Sequence, residues 1–96
     1  MLVLITYDVS TSTEFGKKRL RRVAKKCEDY GVRVQNSVFE CVVNATQLKI
    51  LEIELENIID PEVDSLRFYK LGNNYKQKVK HIGAKETISV DEPLIF

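Results

Sequence analysis

The chain has 96 residues, 44% apolar and 30% charged, the proportions of one small soluble globular domain. No apolar run approaches the ~20 residues that a membrane-crossing helix needs, and no basic leader with a cleavage motif precedes the first apolar run, so a cytoplasmic protein without a membrane role is expected. The net charge of +1 conceals a partition: residues 17–26 (KKRLRRVAKK) hold seven of the fifteen Lys and Arg residues, residues 65–85 hold six more and no acid, and residues 40–64 carry seven acids against one lysine.

Residues 2–7 (LVLITY) read as a short buried strand ending against Asp8. The loop VSTST follows, where Thr11 and Glu14 have capping-box spacing. A helix is predicted over about 14–30. Its apolar stripe is Leu20, Val23, Ala24, Cys27 and Tyr30, with the cations on the flanks and outer face and Gly31 as C-cap. Residues 32–43 predict two strands around a tight turn at Gln35-Asn36-Ser37. Asn44 with Gln47 is a second capping signature. It opens a helix over about 45–59 that buries Leu48, Leu51, Leu55, Ile58 and Ile59, and Asp60-Pro61 closes it. Residues 64–71 predict a further strand, Gly72-Asn73-Asn74 a turn, and residues 77–82 a short fifth strand.

Strand, helix, strand, strand, helix, strand is the α+β, ferredoxin-like βαββαβ order, here a single domain over 1–96 with residues about 77–96 as an additional C-terminal strand and tail. Such a fold leaves one sheet face open. Leu2 and Leu4 nevertheless oppose Val3 and Ile5, and Val38 and Val42 oppose Phe39, Cys41 and Val43, so both faces carry apolar residues. The tail or a second subunit is expected to cover the open face, most economically in a symmetric homodimer. Cys27 and Cys41 lack metal or CxxC spacing and fall in apolar patterns, as reduced core thiols do.

Two features carry chemistry. Acids are nearly absent between residues 15 and 27, so Lys17, Lys18, Arg19, Arg21 and Arg22 repel one another unless a polyanion neutralises them. The plain alternative is a solvated helix face. A nucleic acid meeting about six of these cations would lose ~1000-fold in affinity between 50 and 200 mM salt. The second feature is Asp8, which reads either as a turn-opening residue or as a metal ligand beside a phosphodiester. Across a two-fold axis, two such carboxylates about 5 Å apart repel by roughly 3 kcal/mol at an effective dielectric of 20. Sharing a proton or binding a hard cation, Mg²⁺ or Mn²⁺, relieves that repulsion. Tyr7 and Phe39 read either as base-stacking groups or as core, Arg33 and Ser37 as phosphate contacts or structural residues, and His81 as a surface or interface group.

LVLITYDV at 2–9, GVRVQNSVFECVV at 31–43 and RFYKLGNNY at 67–75 together resemble the CRISPR-associated protein family two, over nearly the whole chain. The resemblance implies a ferredoxin-like homodimer, Mg²⁺ at Asp8 in the dimer cleft, and endonuclease activity on single-stranded RNA or double-stranded DNA. It also implies a partnership with the integrase that inserts new spacers, a role that need not require cleavage and leaves a non-catalytic DNA-binding adaptor as the alternative. By motif match Tyr7, Arg33 and Phe39 become secondary site residues, and Arg19 and Arg21 become backbone contacts. Ser10-Thr11-Ser12-Thr13 departs from the Pro and acidic residues many members carry after the aspartate, so substrate preference stays open.

Overall fold

Strand β1 (Leu2–Asp8) is central, with each of its residues Leu2 to Thr6 paired to a neighbouring strand on both sides, in the computed structural model, which describes residues 1–83. The remaining elements are α1 (Glu14–Glu28), β2 (Gly31–Gln35), β3 (Val38–Val42), α2 (Ala45–Ile58), β4 (Ser65–Gly72) and a 3₁₀ turn over Tyr75–Gln77. The sheet runs β2-β3-β1-β4 with every neighbouring pair antiparallel, the ferredoxin-like order.

Register decides the faces. Ile5 lies opposite Phe39 on β3 and Phe68 on β4, while Val3 pairs with Cys41 and Tyr7 with Leu66. These residues point toward the helices and meet Val23, Ala24, Cys27, Leu48, Leu51 and Leu55 in one core. The opposite face carries Leu4, Thr6, Val38, Glu40 and Val42, all half-buried, with Arg67, Tyr69 and Asp8 exposed. In a single chain this face is therefore only partly covered. Burial holds the Glu40 carboxyl above the usual range, and the charge of His81 opposes that rise, so the segment after the 3₁₀ turn acts on this face.

Helix α2 opens with the expected reciprocal box: Gln47 N–H donates to Asn44 Oδ1 at 2.8 Å, and Asn44 N–H donates to Gln47 Oε1 at 2.9 Å. Three local expectations fail. The N-cap of α1 is Thr13, whose Oγ1 accepts from Gly16 N at 3.0 Å, so Thr11 and Glu14 form no box. Gly31 is not a C-cap; α1 ends at Asp29, and Gly31 starts β2 where an added Cβ would lie 1.9 Å from the Glu40 carbonyl oxygen. Close strand approach, not helix termination, requires that glycine. Residues 77–82 form no strand: Gln77 closes the 3₁₀ turn, and the chain then runs irregularly to Gly83 without pairing to either edge strand of the sheet, β2 or β4. The rest of the expected tail, with Leu94-Ile95-Phe96, lies outside the described residues.

Both cysteines are fully buried, and Cys41 Sγ lies 3.4 Å from the Cys27 carbonyl oxygen. The Cys41 contact and then burial push the Cys27 thiol up, which keeps it protonated and packed as an apolar group.

Candidate functional site

Strand alternation separates Tyr7 from Asp8. Tyr7 turns into the core and is 2% exposed, whereas Asp8 turns to the opposite face and is exposed at the strand end, paired through its backbone with Ser65 of β4. Chain direction then brings α1 back from the same end of the sheet. The intervening loop is held tightly, since an added Cβ on Gly16 would meet the Ser10 carbonyl oxygen at 1.8 Å. Asp8 and the start of the basic helix are thus neighbours by construction.

The hydroxyl of Tyr7 donates to Asp64 Oδ2 in a short, buried hydrogen bond. Arg19 grips the same carboxylate with two donors, Nε to Oδ2 at 2.8 Å and Nη2 to Oδ1 at 3.2 Å, and the Asp60 N–H donates to Oδ2 at 3.1 Å. Burial alone would raise the Asp64 pKa, but the bonds from Arg19, Tyr7 and the Asp60 N–H outweigh it and leave the group lowered. The hydroxyl of Tyr7 responds the other way: burial and then the Asp64 carboxylate push its pKa far up, so it stays a donor. Arg19 is raised chiefly by its bond to Asp64. This network ties β1, α1 and the α2–β4 loop together one residue away from both Asp8 and Ser65.

That finding corrects the expected contact set. Tyr7 and Phe39, the latter 0% exposed, belong to the core and offer no ring to a base. Arg19, with its guanidinium committed to Asp64 and its side chain only 19% exposed, is a structural clamp instead of a backbone contact. Arg33 is exposed, donates from Nε and Nη2 to the Asn36 carbonyl oxygen at 2.8 and 2.6 Å, and stacks 5.8 Å over the Phe39 ring. It stiffens the hairpin while keeping outward-facing donors. Ser37 sits in that hairpin, and its carbonyl oxygen accepts from the Tyr7 N–H at 2.9 Å. Lys17 makes an exposed pair with Glu14 at 3.4 Å, and Lys26 reaches Glu54 of α2 at 2.9 Å. Among the described residues, Lys18, Arg21, Arg22 and Lys25 have no carboxylate partner. A shallow cleft of about 300 Å³ between α1 and β2 gathers Arg21, Lys25 and Arg33, with Glu28 and Asp29 on its rim.

Comparison with known proteins is decisive for family. The family model described as CRISPR associated protein Cas2 matches residues 1–79. The chain belongs to the Cas2 family. A protein of Halalkalibacterium halodurans named CRISPR-associated endonuclease Cas2 is 67% identical over 96 residues, covering 100% of both chains. One from Chlorobaculum tepidum, named CRISPR-associated endoribonuclease Cas2, is 55% identical over 96 residues, also covering 100% of each. The crystal structure of Streptococcus pyogenes Cas2 at pH 6.5 superposes with a TM-score of 0.80 at 54% identity, over 86% of this chain and 100% of that one. The expected family and ferredoxin-like architecture are therefore correct, and the enzymatic class the relatives' names carry is nucleolytic.

Within this Cas2 family framework, the functional residue that sequence reasoning missed is Asp64. A signal for it existed. Arg19 stands four residues before Val23, beside the buried stripe, and an arginine there needs an acceptor. The nearest candidate acids in sequence point elsewhere, and the actual one is 45 residues away.

Proposed function

We propose that this chain is an Mg²⁺-dependent endonuclease of CRISPR adaptation that works as a homodimer beside the spacer-integration integrase, with Asp8 as metal ligand. The observation that carries the reading is the placement of one exposed carboxylate at the end of β1, next to a helix on which Lys18, Arg21, Arg22 and Lys25 have no carboxylate partner among the described residues. No group of three or more His, Cys, Asp or Glu side chains that could hold a metal occurs among the described residues. One chain thus offers a hard oxygen donor of the right kind but in insufficient number. The partly covered sheet face, with Leu4, Val38 and Val42 half-buried on it, supports a second copy as the source of the other Asp8. Bound there, Mg²⁺ would polarise a phosphoryl oxygen and lower the pKa of attacking water. The chain's own part is to hold the phosphates with Lys18, Arg21, Arg22 and Lys25 and to fix Asp8 through the Tyr7–Asp64–Arg19 network. No helix among the described residues is long and apolar enough to cross a membrane.

A second reading is favoured by that sparse carboxylate set: an adaptor that holds DNA and docks the integrase without cutting. The test compares cleavage of single-stranded RNA and double-stranded DNA by wild type and Asp8→Asn, each with Mg²⁺ and with EDTA. Metal-dependent cutting that disappears in the variant establishes the nuclease, and the substrate that is cut identifies its class. Equal background in both proteins, with salt-sensitive DNA binding retained, establishes the adaptor.

A further inference from the structure

Phe15 is the one aromatic side chain of α1, and 77% of its surface is exposed. Phenylalanine is a mediocre helix former, and leaving its ring in water forgoes the stabilisation that burial provides. Nothing in the packing of α1 accounts for it, because the buried stripe is carried by Gly16, Val23, Ala24 and Cys27. Its neighbours on the helix surface are Lys18 at i+3, Arg19 at i+4 and Arg22 at i+7. Arg19 is locked onto Asp64, so it anchors this ridge, while Lys18 and Arg22 stay exposed and without carboxylate partners. Val63, 67% exposed, stands beside Asp64 in the loop that this anchor holds against α1.

An exposed ring at the N-terminal end of a ridge that carries two cations without carboxylate partners combines a π-face for a base with charges for the phosphates that follow it. A duplex hides its base faces within the stack and can use only the cations. A single strand can use both. We propose that Phe15, with Lys18 and Arg22, forms a stacking site for one unpaired base of a single-stranded nucleic acid led toward the Asp8 end of the sheet. This deepens the nuclease reading and rests on it, since it names the form of the substrate.

The test is equilibrium binding in EDTA, so that cleavage plays no part. The probes are a fluorescent single-stranded RNA, the same oligonucleotide with abasic sites, and a blunt DNA duplex. The proteins are wild type, Phe15→Ala, Phe15→Leu, Phe15→Trp and Arg22→Ala. Phe15→Ala and Phe15→Leu are expected to lose about tenfold in affinity for the single strand, within the range for one lost base–aromatic stack. Duplex affinity should be unchanged, and Phe15→Trp should keep wild-type binding. The abasic strand should bind all Phe15 variants equally. Arg22→Ala should weaken single strand and duplex alike. Unchanged single-strand binding by Phe15→Ala, with Arg22→Ala still weakened, overturns the stacking site while leaving the nucleic-acid reading intact. A parallel loss for duplex, or a Phe15→Ala protein that changes oligomeric state, also overturns it and makes the ring a packing or interface group. Wild type that binds none of the probes overturns both readings. Because the ring is exposed, unaltered thermal melting of Phe15→Ala separates these outcomes from misfolding.

Discussion

Replacing Asp64 by alanine removes the acceptor of four hydrogen bonds at once, and a cycle with Tyr7→Phe isolates the most buried of them. A hydrogen bond to a charged group contributes about 2 kcal/mol, so Tyr7→Phe alone should destabilise by roughly that amount. Asp64→Ala should cost more, about 3–5 kcal/mol, because it leaves the Tyr7 hydroxyl buried without an acceptor and breaks a partly buried charge pair. In the Asp64→Ala background, Tyr7→Phe should cost almost nothing, since the hydroxyl it removes no longer has a partner. The coupling is then about 2 kcal/mol, well above the few tenths expected for independent sites. Urea denaturation measures it directly, with a midpoint shift near 1 M for Tyr7→Phe at an m-value of about 2 kcal/mol/M. The same substitution should lower the melting temperature by roughly 8–16 °C in a chain of this size. If Tyr7→Phe costs the same in both backgrounds, or under 0.5 kcal/mol in the wild type, the network is not what fixes the end of β1. Tyr7 would then be held by core packing alone.

The remaining predictions concern charge. With Lys17, Arg19 and Lys26 paired with carboxylates, four of the seven cations of α1 remain for phosphate. Four contacts predict a loss of about 150-fold in duplex affinity and about 50-fold for a single strand between 50 and 200 mM salt. Titrating binding against salt distinguishes this from the ~1000-fold loss that six contacts would cause. The pKa of Asp64 is lower in the folded chain than in the unfolded one, so its contribution is present above the unfolded value near 4 and is lost as pH falls through the folded one. Asp64→Asn should therefore flatten the acid limb of a stability–pH curve. Glu40 has the opposite sign: its raised folded pKa makes the charged form a burden at neutral pH that is relieved on acidification, and Glu40→Gln should be more stable than wild type at pH 7.

Element order was legible because it depends on local signals. Apolar periodicity marked both helices, Asn44 with Gln47 marked the start of α2, and Gln35-Asn36-Ser37 marked the turn between β2 and β3. What stayed hidden were features that depend on tertiary approach. Gly31 stands after a helix, as many C-cap glycines do, yet the constraint comes from the Glu40 carbonyl on the next strand. Residues 77–82 had a strand's composition, but composition does not say whether a segment will pair with an edge strand, and here it pairs with neither β2 nor β4. Asp8 was legible because its place, at the end of an apolar run, is itself a sequence feature.

The roles of Tyr7 and Arg19 illustrate a general limit on transferring site residues by motif. A residue adjacent to a catalytic acid is retained whether it touches substrate or holds the acid in place, and the motif looks the same in both cases. Geometry separates them here by strand parity: Tyr7 and Asp8 point to opposite faces, so no ligand on the Asp8 face reaches the Tyr7 ring without unfolding β1. Tyr7 can act on the site only through the backbone it anchors. Arg19 likewise binds Asp64 through Nε and Nη2 and ties α1 to the α2–β4 loop. Under the proposed nuclease reading the chemistry then falls to Asp8 and the cations without carboxylate partners, a smaller set than the motif suggests, and a second copy and the nucleic acid would have to complete the site.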